Sequence, residues 1–161
     1  MLTWLESEPV RGLLLVSLAL IAGTGWMALR ALRLPAIAPD RLVAELRLAQ
    51  FAALVLALTA GSSLGLVAAA DLQSAALPVG QVSTEVMFAL GWMAIAAIAT
   101  IRDPREALTL LAIAFGAHAL FDVSHRPDLL GDHLSPGWFT VGSAVHDLCL
   151  GVLCYLPVLR R

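Results

Sequence analysis

Apolar residues in this chain fall in five long blocks separated by short polar or proline-bearing stretches. The blocks run from about Gly12 to Leu29, Leu48 to Ala70, Val82 to Ile101, Ala107 to Val123 and Trp138 to Leu159. Each approaches the roughly 20 residues needed to cross a bilayer. In lipid, backbone groups must be satisfied within the segment or in a closed barrel, so Ala- and Leu-rich runs of this length predict helices. The expected fold is all-α: a polytopic membrane protein whose five transmembrane helices form one helical-bundle domain over residues 1–161. The first block is read as a membrane helix and not a signal peptide, because Glu6 and Glu8 precede it and a leading basic region is missing.

The polar stretches orient the bundle. Arg30, Arg33, Arg41 and Arg47 fall between the first two blocks, Arg102 and Arg105 between the third and fourth, and Arg160 and Arg161 after the fifth. With five spans these eight share one side, leaving Arg11 and Arg126 on the other. The positive-inside rule then predicts an external N-terminus and a cytoplasmic C-terminus. Leu34 to Arg41, with Pro35 and Pro39, reads as a stiff cytoplasmic loop, and Arg47 as part of a lead-in to helix two. Asp103-Pro104 reads as a sharp turn with Asp103 capping helix four. His125 to Pro136, holding Pro127 and Gly131, reads as an external loop, where His133 and Asp132 are solvated. Gly61, Gly65 and Ala69 on helix two, and Ala112 and Gly116 on helix four, form lines of small residues that favour close helix contact.

Composition strengthens the membrane reading and removes other classes. Hydrophobic residues make up 60% of the chain and charged ones 14%, with mean hydropathy +0.86; a soluble domain averages roughly 25% charged. A net charge of −2 without a basic cluster excludes a nucleic-acid partner. All ten basic residues are Arg, which fits a high-GC bacterial genome and the plasma (inner) membrane, and excludes Schiff-base chemistry on lysine. Cys149 and Cys154 lie five apart on one predicted helix, pointing to different faces. They read as buried small apolar residues, not a disulfide.

Against this background the ionisable residues inside the blocks stand out. His118, Asp122 and His125 lie at i, i+4 and i+7, within about 60° of arc on helix four. His146 and Asp147 lie in helix five. On insertion scales Asp at a helix centre costs roughly 2.5–3.5 kcal/mol, so five such groups in two neighbouring spans point to a site. His118 lies roughly 10 Å deeper than His125, and His146 roughly 12 Å into helix five. The two are level and are expected to face each other across a tight hairpin. Asp147 is about 100° round from His146, so the site must be wedged at the seam. Ser143 shares that side, and Glu85 on helix three is a sixth candidate.

Imidazole and carboxylate suit a divalent transition metal such as zinc or iron. The expected metal ligands are His118, Asp122, His125, His146 and Asp147, with Asp122 or Asp147 as general base and a carboxylate orienting a ligating imidazole. Intramembrane His–Asp pairs also serve simply to bond helices together. Trp4 and Trp138 read as interfacial anchors, and Trp26 and Trp92 as cytoplasmic-side or packing residues.

The stretch Gly116-Ala-His-Ala-Leu-Phe-Asp-Val-Ser-His125, continued by Trp138 to Tyr155 with His146-Asp147, resembles a family of small multi-pass membrane proteins of unknown function. That family has a His-x3-Asp-x2-His signature in one helix, often followed by a second His (Arg126 here), and a further Asp in the next helix. The resemblance implies a shared site at His118, Asp122, His125 and Asp147. A looser similarity is to intramembrane zinc hydrolases of the alkaline ceramidase and adiponectin-receptor type. Those use a Ser, an Asp and three His within seven spans, and Ser143, Asp122 and the histidines are the analogous residues here.

The leading expectation is an integral membrane metal-binding protein, extending to a metalloenzyme acting on a lipid-soluble substrate in the outer half of the bilayer. Alternatives are a b-type haem protein ligated by His118 and His146, a proton or ion transporter using the same polar stripe, and a non-catalytic assembly subunit. The transport reading is weakened by the cytoplasmic halves of helices four and five, whose polar residues are Thr109, Tyr155 and the two cysteines.

Overall fold

The computed structural model describes residues 8–72, 79–124 and 137–160. They form five α-helices: α1 (Glu8–Arg33), α2 (Pro39–Leu72), α3 (Val79–Thr100), α4 (Pro104–Ser124) and α5 (Gly137–Leu159). All five are long and apolar enough to cross a bilayer. The all-α, five-helix expectation therefore holds.

The main difference in boundaries is at α2, which begins nine residues before the apolar block it contains. Pro39 fits the first helical turn, where no N–H is needed, and Asp40 is the acidic residue of that turn. The connection from α1 shrinks to residues 34–38, closed by the Ala38 N–H on Pro35 O (3.1 Å) and the Arg41 N–H on Ala38 O (3.0 Å). Arg41 is thus helical and not a loop residue. The turn from α3 to α4 follows expectation: Asp103 Oδ1 accepts the Arg105 N–H at 3.1 Å, a side-chain cap with Pro104 just inside the helix.

The helix α2 touches all four others, and α4 packs most extensively on α5. The shared core is rich in alanine, with Leu48, Ala52, Val55, Leu56 and Ala60 of α2 meeting Ala89 and Ala96 of α3, Leu108 and Leu111 of α4, and Leu150 of α5. Small side chains let the backbones approach closely. The tightest glycine is Gly151: a Cβ there would stand 3.2 Å from Ala112 O and 3.5 Å from Phe115 Cβ. The Ala112–Gly116 line is thus the surface that Gly151 meets. On α2 the expected close contact is modest, since a Cβ at Gly61 would meet only the Met93 methyl at 3.6 Å and one at Gly65 nothing within 4 Å. Leucine, isoleucine and valine face outward on every helix, including Leu18, Leu58, Ile113, Leu120 and Val152. Hydroxyl groups mostly bond their own helix, as Thr24 does to Leu20 O and Thr109 to Arg105 O, both at 2.8 Å.

A buried ionic knot closes one end. Arg41 and Glu45 are each 2% exposed, with Arg41 Nε on Glu45 Oε1 at 2.8 Å. Arg105 of α4 reaches the other oxygen, Oε2, at 3.3 Å. Arg41 Nη2 donates to Pro157 O (3.0 Å) and Arg160 O (2.7 Å), the carbonyls released at the end of α5. Arg160 Nη1 donates in turn to Leu32 O at the end of α1. Arg41, read from sequence as the end of a cytoplasmic loop, is instead helical and buried by this capping and pairing. The cysteines are both free; Cys154 is buried, but Cys149 is exposed, not buried as expected.

Candidate metal centre

The buried stripe of α4 runs Ala107, Leu108, Leu111, Ala114, Phe115, His118, Ala119, Asp122. This is the 3–4 spacing of a helix face turned to its neighbours. His118 and Asp122 therefore continue the core stripe, replacing apolar residues in its last two turns. On α5 the corresponding stripe is Ala144, Asp147, Leu150, Gly151 and Cys154. Gly151, one turn from Asp147, brings the two backbones together and sets the acid against the imidazole.

His118 Nδ1 and Asp147 Oδ2 are 2.6 Å apart. A carboxylate only accepts, so Nδ1 carries the hydrogen. Asp122 Oδ2 lies 3.6 Å from the same nitrogen. His118, Asp122 and Asp147 are 4%, 8% and 0% exposed, and each offers a donor atom within 4.8 Å of the others. The Trp92 ring of α3 stands edge-on to His118 with centroids 5.4 Å apart. Phe121 is stacked at a tilt on Phe88, 4.1 Å away. Glu85, also on α3, is buried. Aromatic and apolar side chains thus flank one imidazole and two carboxylates.

Asp147 Oδ1 and Trp92 Nε1, both buried here, have no hydrogen-bond partner among the described residues. A fully buried carboxylate with one oxygen unsatisfied is costly, by about 1–3 kcal/mol or more for a charged group. A cation among the three side chains would relieve that cost. A tetrahedral ion at roughly 2.0–2.2 Å from each donor holds donors about 3.3–3.6 Å apart. The His118–Asp122 spacing already matches. His118 Nδ1 and Asp147 Oδ2, at 2.6 Å, stand closer because they are hydrogen-bonded.

The remaining sequence candidates divide clearly. His146 is half-buried and turned toward α1, with its Nδ1 2.7 Å from Ser17 Oγ. The two imidazoles thus have separate partners, Asp147 for His118 and Ser17 for His146, and do not share the facing arrangement expected from their depths. The reason is the one-residue offset between His146 and Asp147: α5 is wedged between α4 and α1, so adjacent residues serve different neighbours. Ser143 is half-buried on α5. His125, Arg126, Asp132 and His133 lie outside the described residues. Sequence reasoning missed Ser17, which sits in the most apolar block, and the orphaned indole of Trp92. A hydroxyl inside a long apolar run was the available signal for the first.

Comparison with family models, with curated proteins and with solved structures gives no match. What stands beside the sequence resemblances is the buried His118, Asp122 and Asp147 group within five long apolar helices.

Proposed function

We propose that this chain is an integral membrane protein that binds one divalent transition metal at His118, Asp122 and Asp147. The observation that carries this reading is the orphaned Oδ1 of Asp147, fully buried, in a group of three side chains spaced for one ion. Helix adhesion requires only the hydrogen bond to His118. It gives no reason to bury a second, unsatisfied carboxylate oxygen beside a further acid.

The arginine-rich ends of α1, α4 and α5 and the start of α2 are linked through Arg41, Glu45, Arg105 and Arg160. That supports a common side for them, which the positive-inside rule assigns to the cytoplasm of a bacterial plasma membrane. His118 is 14 residues, roughly 21 Å, beyond Pro104 at that end, so the metal would sit in the outer half of the bilayer. Below the site the seam continues as Phe115, Leu111, Leu108, Leu150 and Cys154, each no more than 1% exposed. That closed apolar floor favours a site over a conduit.

A bound zinc or iron would supply Lewis acidity or redox chemistry, and the substrate class that fits a site among apolar helices is a lipid-soluble one. The chain's own part is to hold the ion through His118, Asp122 and Asp147 inside a buried, apolar seam. Metal analysis of the purified protein tests the reading. About one transition-metal ion per chain is expected in the wild type, and none in His118→Ala or Asp147→Asn. Metal-free wild type that also fails to take up zinc or iron on addition would overturn it.

A further inference from the structure

At the arginine-rich end, α1 and α2 line an open cavity of about 350 Å³. Trp26, Met27 and Arg30 line it from α1, and Asp40, Val43 and Arg47 from α2. Trp26 and Arg30 are one turn apart. Asp40, Val43 and Arg47 stand at i, i+3 and i+7, so each set forms one helix face. Arg41 and Arg105 at this end are committed to Glu45. Arg30 and Arg47, by contrast, make no hydrogen bond or ion pair among the described residues.

The position of these two guanidiniums constrains their partner. With 34 residues, α2 is roughly 51 Å long, well beyond the roughly 30 Å of hydrocarbon. Its continuous apolar run starts at Leu48, so the turns up to Arg47 reach into the headgroup layer. There a guanidinium meets phosphate, which its planar fork binds through two parallel hydrogen bonds. Trp26 is 66% exposed beside them, the amphipathic ring typical of that layer, and Met27 and Val43 add an apolar wall. Two guanidiniums and the Asp40 carboxylate give the cavity a net charge of +1. That balances one phosphodiester, and Asp40 disfavours a second negative charge while offering an acceptor to a hydroxyl.

We propose that this cavity binds the phosphodiester headgroup of an anionic membrane lipid, gripped by Arg30 and Arg47, with Trp26 and Met27 against its glycerol and upper acyl portion. The site is separate from the metal centre and does not depend on it.

The test uses the full chain, titrated in detergent with phosphatidylglycerol or phosphatidylcholine and read by native mass spectrometry. Phosphatidylglycerol should be retained over phosphatidylcholine by roughly tenfold or more, the scale expected for two basic side chains at an anionic surface. The preference should vanish in Arg30→Gln/Arg47→Gln and persist in Arg33→Gln, whose exposed side chain is not in the cavity. A second measurement needs no arginine variant: in nanodiscs, brominated phosphatidylglycerol should quench the fluorescence component lost in Trp26→Phe more strongly than brominated phosphatidylcholine. Equal retention of the two lipids by the wild type, or a preference that survives the double substitution, would overturn the proposal. A melting temperature raised as much by millimolar inorganic phosphate as by phosphatidylglycerol would assign the cavity to free phosphate and overturn the lipid.

Discussion

Asp147 Oδ2 meets His118 Nδ1 at 2.6 Å across the α4–α5 seam, while the other oxygen of the same carboxylate has no hydrogen-bond partner among the described residues. Burying that second oxygen without a partner costs the folded chain stability. Replacing one member leaves a buried polar group without its partner, at a cost of about 3–5 kcal/mol. Replacing both by leucine removes the whole desolvation cost and is expected to be neutral or stabilising by about 1–4 kcal/mol. Thermal unfolding of metal-free His118→Leu, Asp147→Leu and the double variant in one detergent checks the order. A double variant no more stable than either single would show that the pair serves adhesion.

If His118 is an imidazolium, with a hydrogen on each ring nitrogen, a cation that takes the Nδ1 position releases one proton to solvent. Metal affinity is then expected to fall as pH is lowered, by up to tenfold per pH unit for one proton. Isothermal titration in two buffers of different ionisation enthalpy should report about one proton released per ion. Buffer-independent heats would show instead a neutral ring whose hydrogen moves to Nε2 as the ion binds.

The different partners of the two histidines separate their roles. Ser17→Ala removes the bond to His146 and is expected to cost about 0.5–1.5 kcal/mol, with metal content unchanged. His146→Ala should likewise retain the ion, whereas His118→Ala loses it. Parallel metal analysis of the three variants decides, and loss of metal in His146→Ala would return that residue to the ligand set.

Gly151 controls how closely Asp147 approaches α4. A methyl group there must displace the backbone carbonyl at Ala112, 3.2 Å away, for an expected loss of about 1–3 kcal/mol, partly offset by alanine's better helix propensity. Gly116→Ala adds its methyl to open space and should gain up to about 1 kcal/mol from propensity alone. Melting temperatures of the two variants should therefore shift in opposite directions, and metal content should fall only in Gly151→Ala.

The helices were legible because lipid leaves an apolar segment few other options, and the sequence blocks map one-to-one onto α1 to α5. Helix ends were less legible where charge and burial coincide. The first turns of α2 carry Asp40, Arg41, Glu45 and Arg47, a pattern read as loop and lead-in, although Arg41 and Glu45 satisfy each other out of water. His118 and Asp122 were readable as a stripe because they share one helix face. The choice between His146 and Asp147 as the partner across the seam was not, since it depends on the rotation of α5, fixed by Gly151 and by α1. Local spacing gives an angle between side chains but not the direction of the neighbour.

The knot around Arg41 has a consequence for how the bundle is made. The two carbonyls that receive its guanidinium lie 116 and 119 residues later in the chain. During synthesis Arg41 and Glu45 therefore enter the membrane region long before their last acceptors exist. Loops this long close slowly, so these bonds are expected to form last, once α5 is in place. A chain truncated before Pro157 keeps the arginine but lacks both acceptors. Such chains are expected to be cleaved rapidly by added protease at residues 34–38, which the full-length protein should resist.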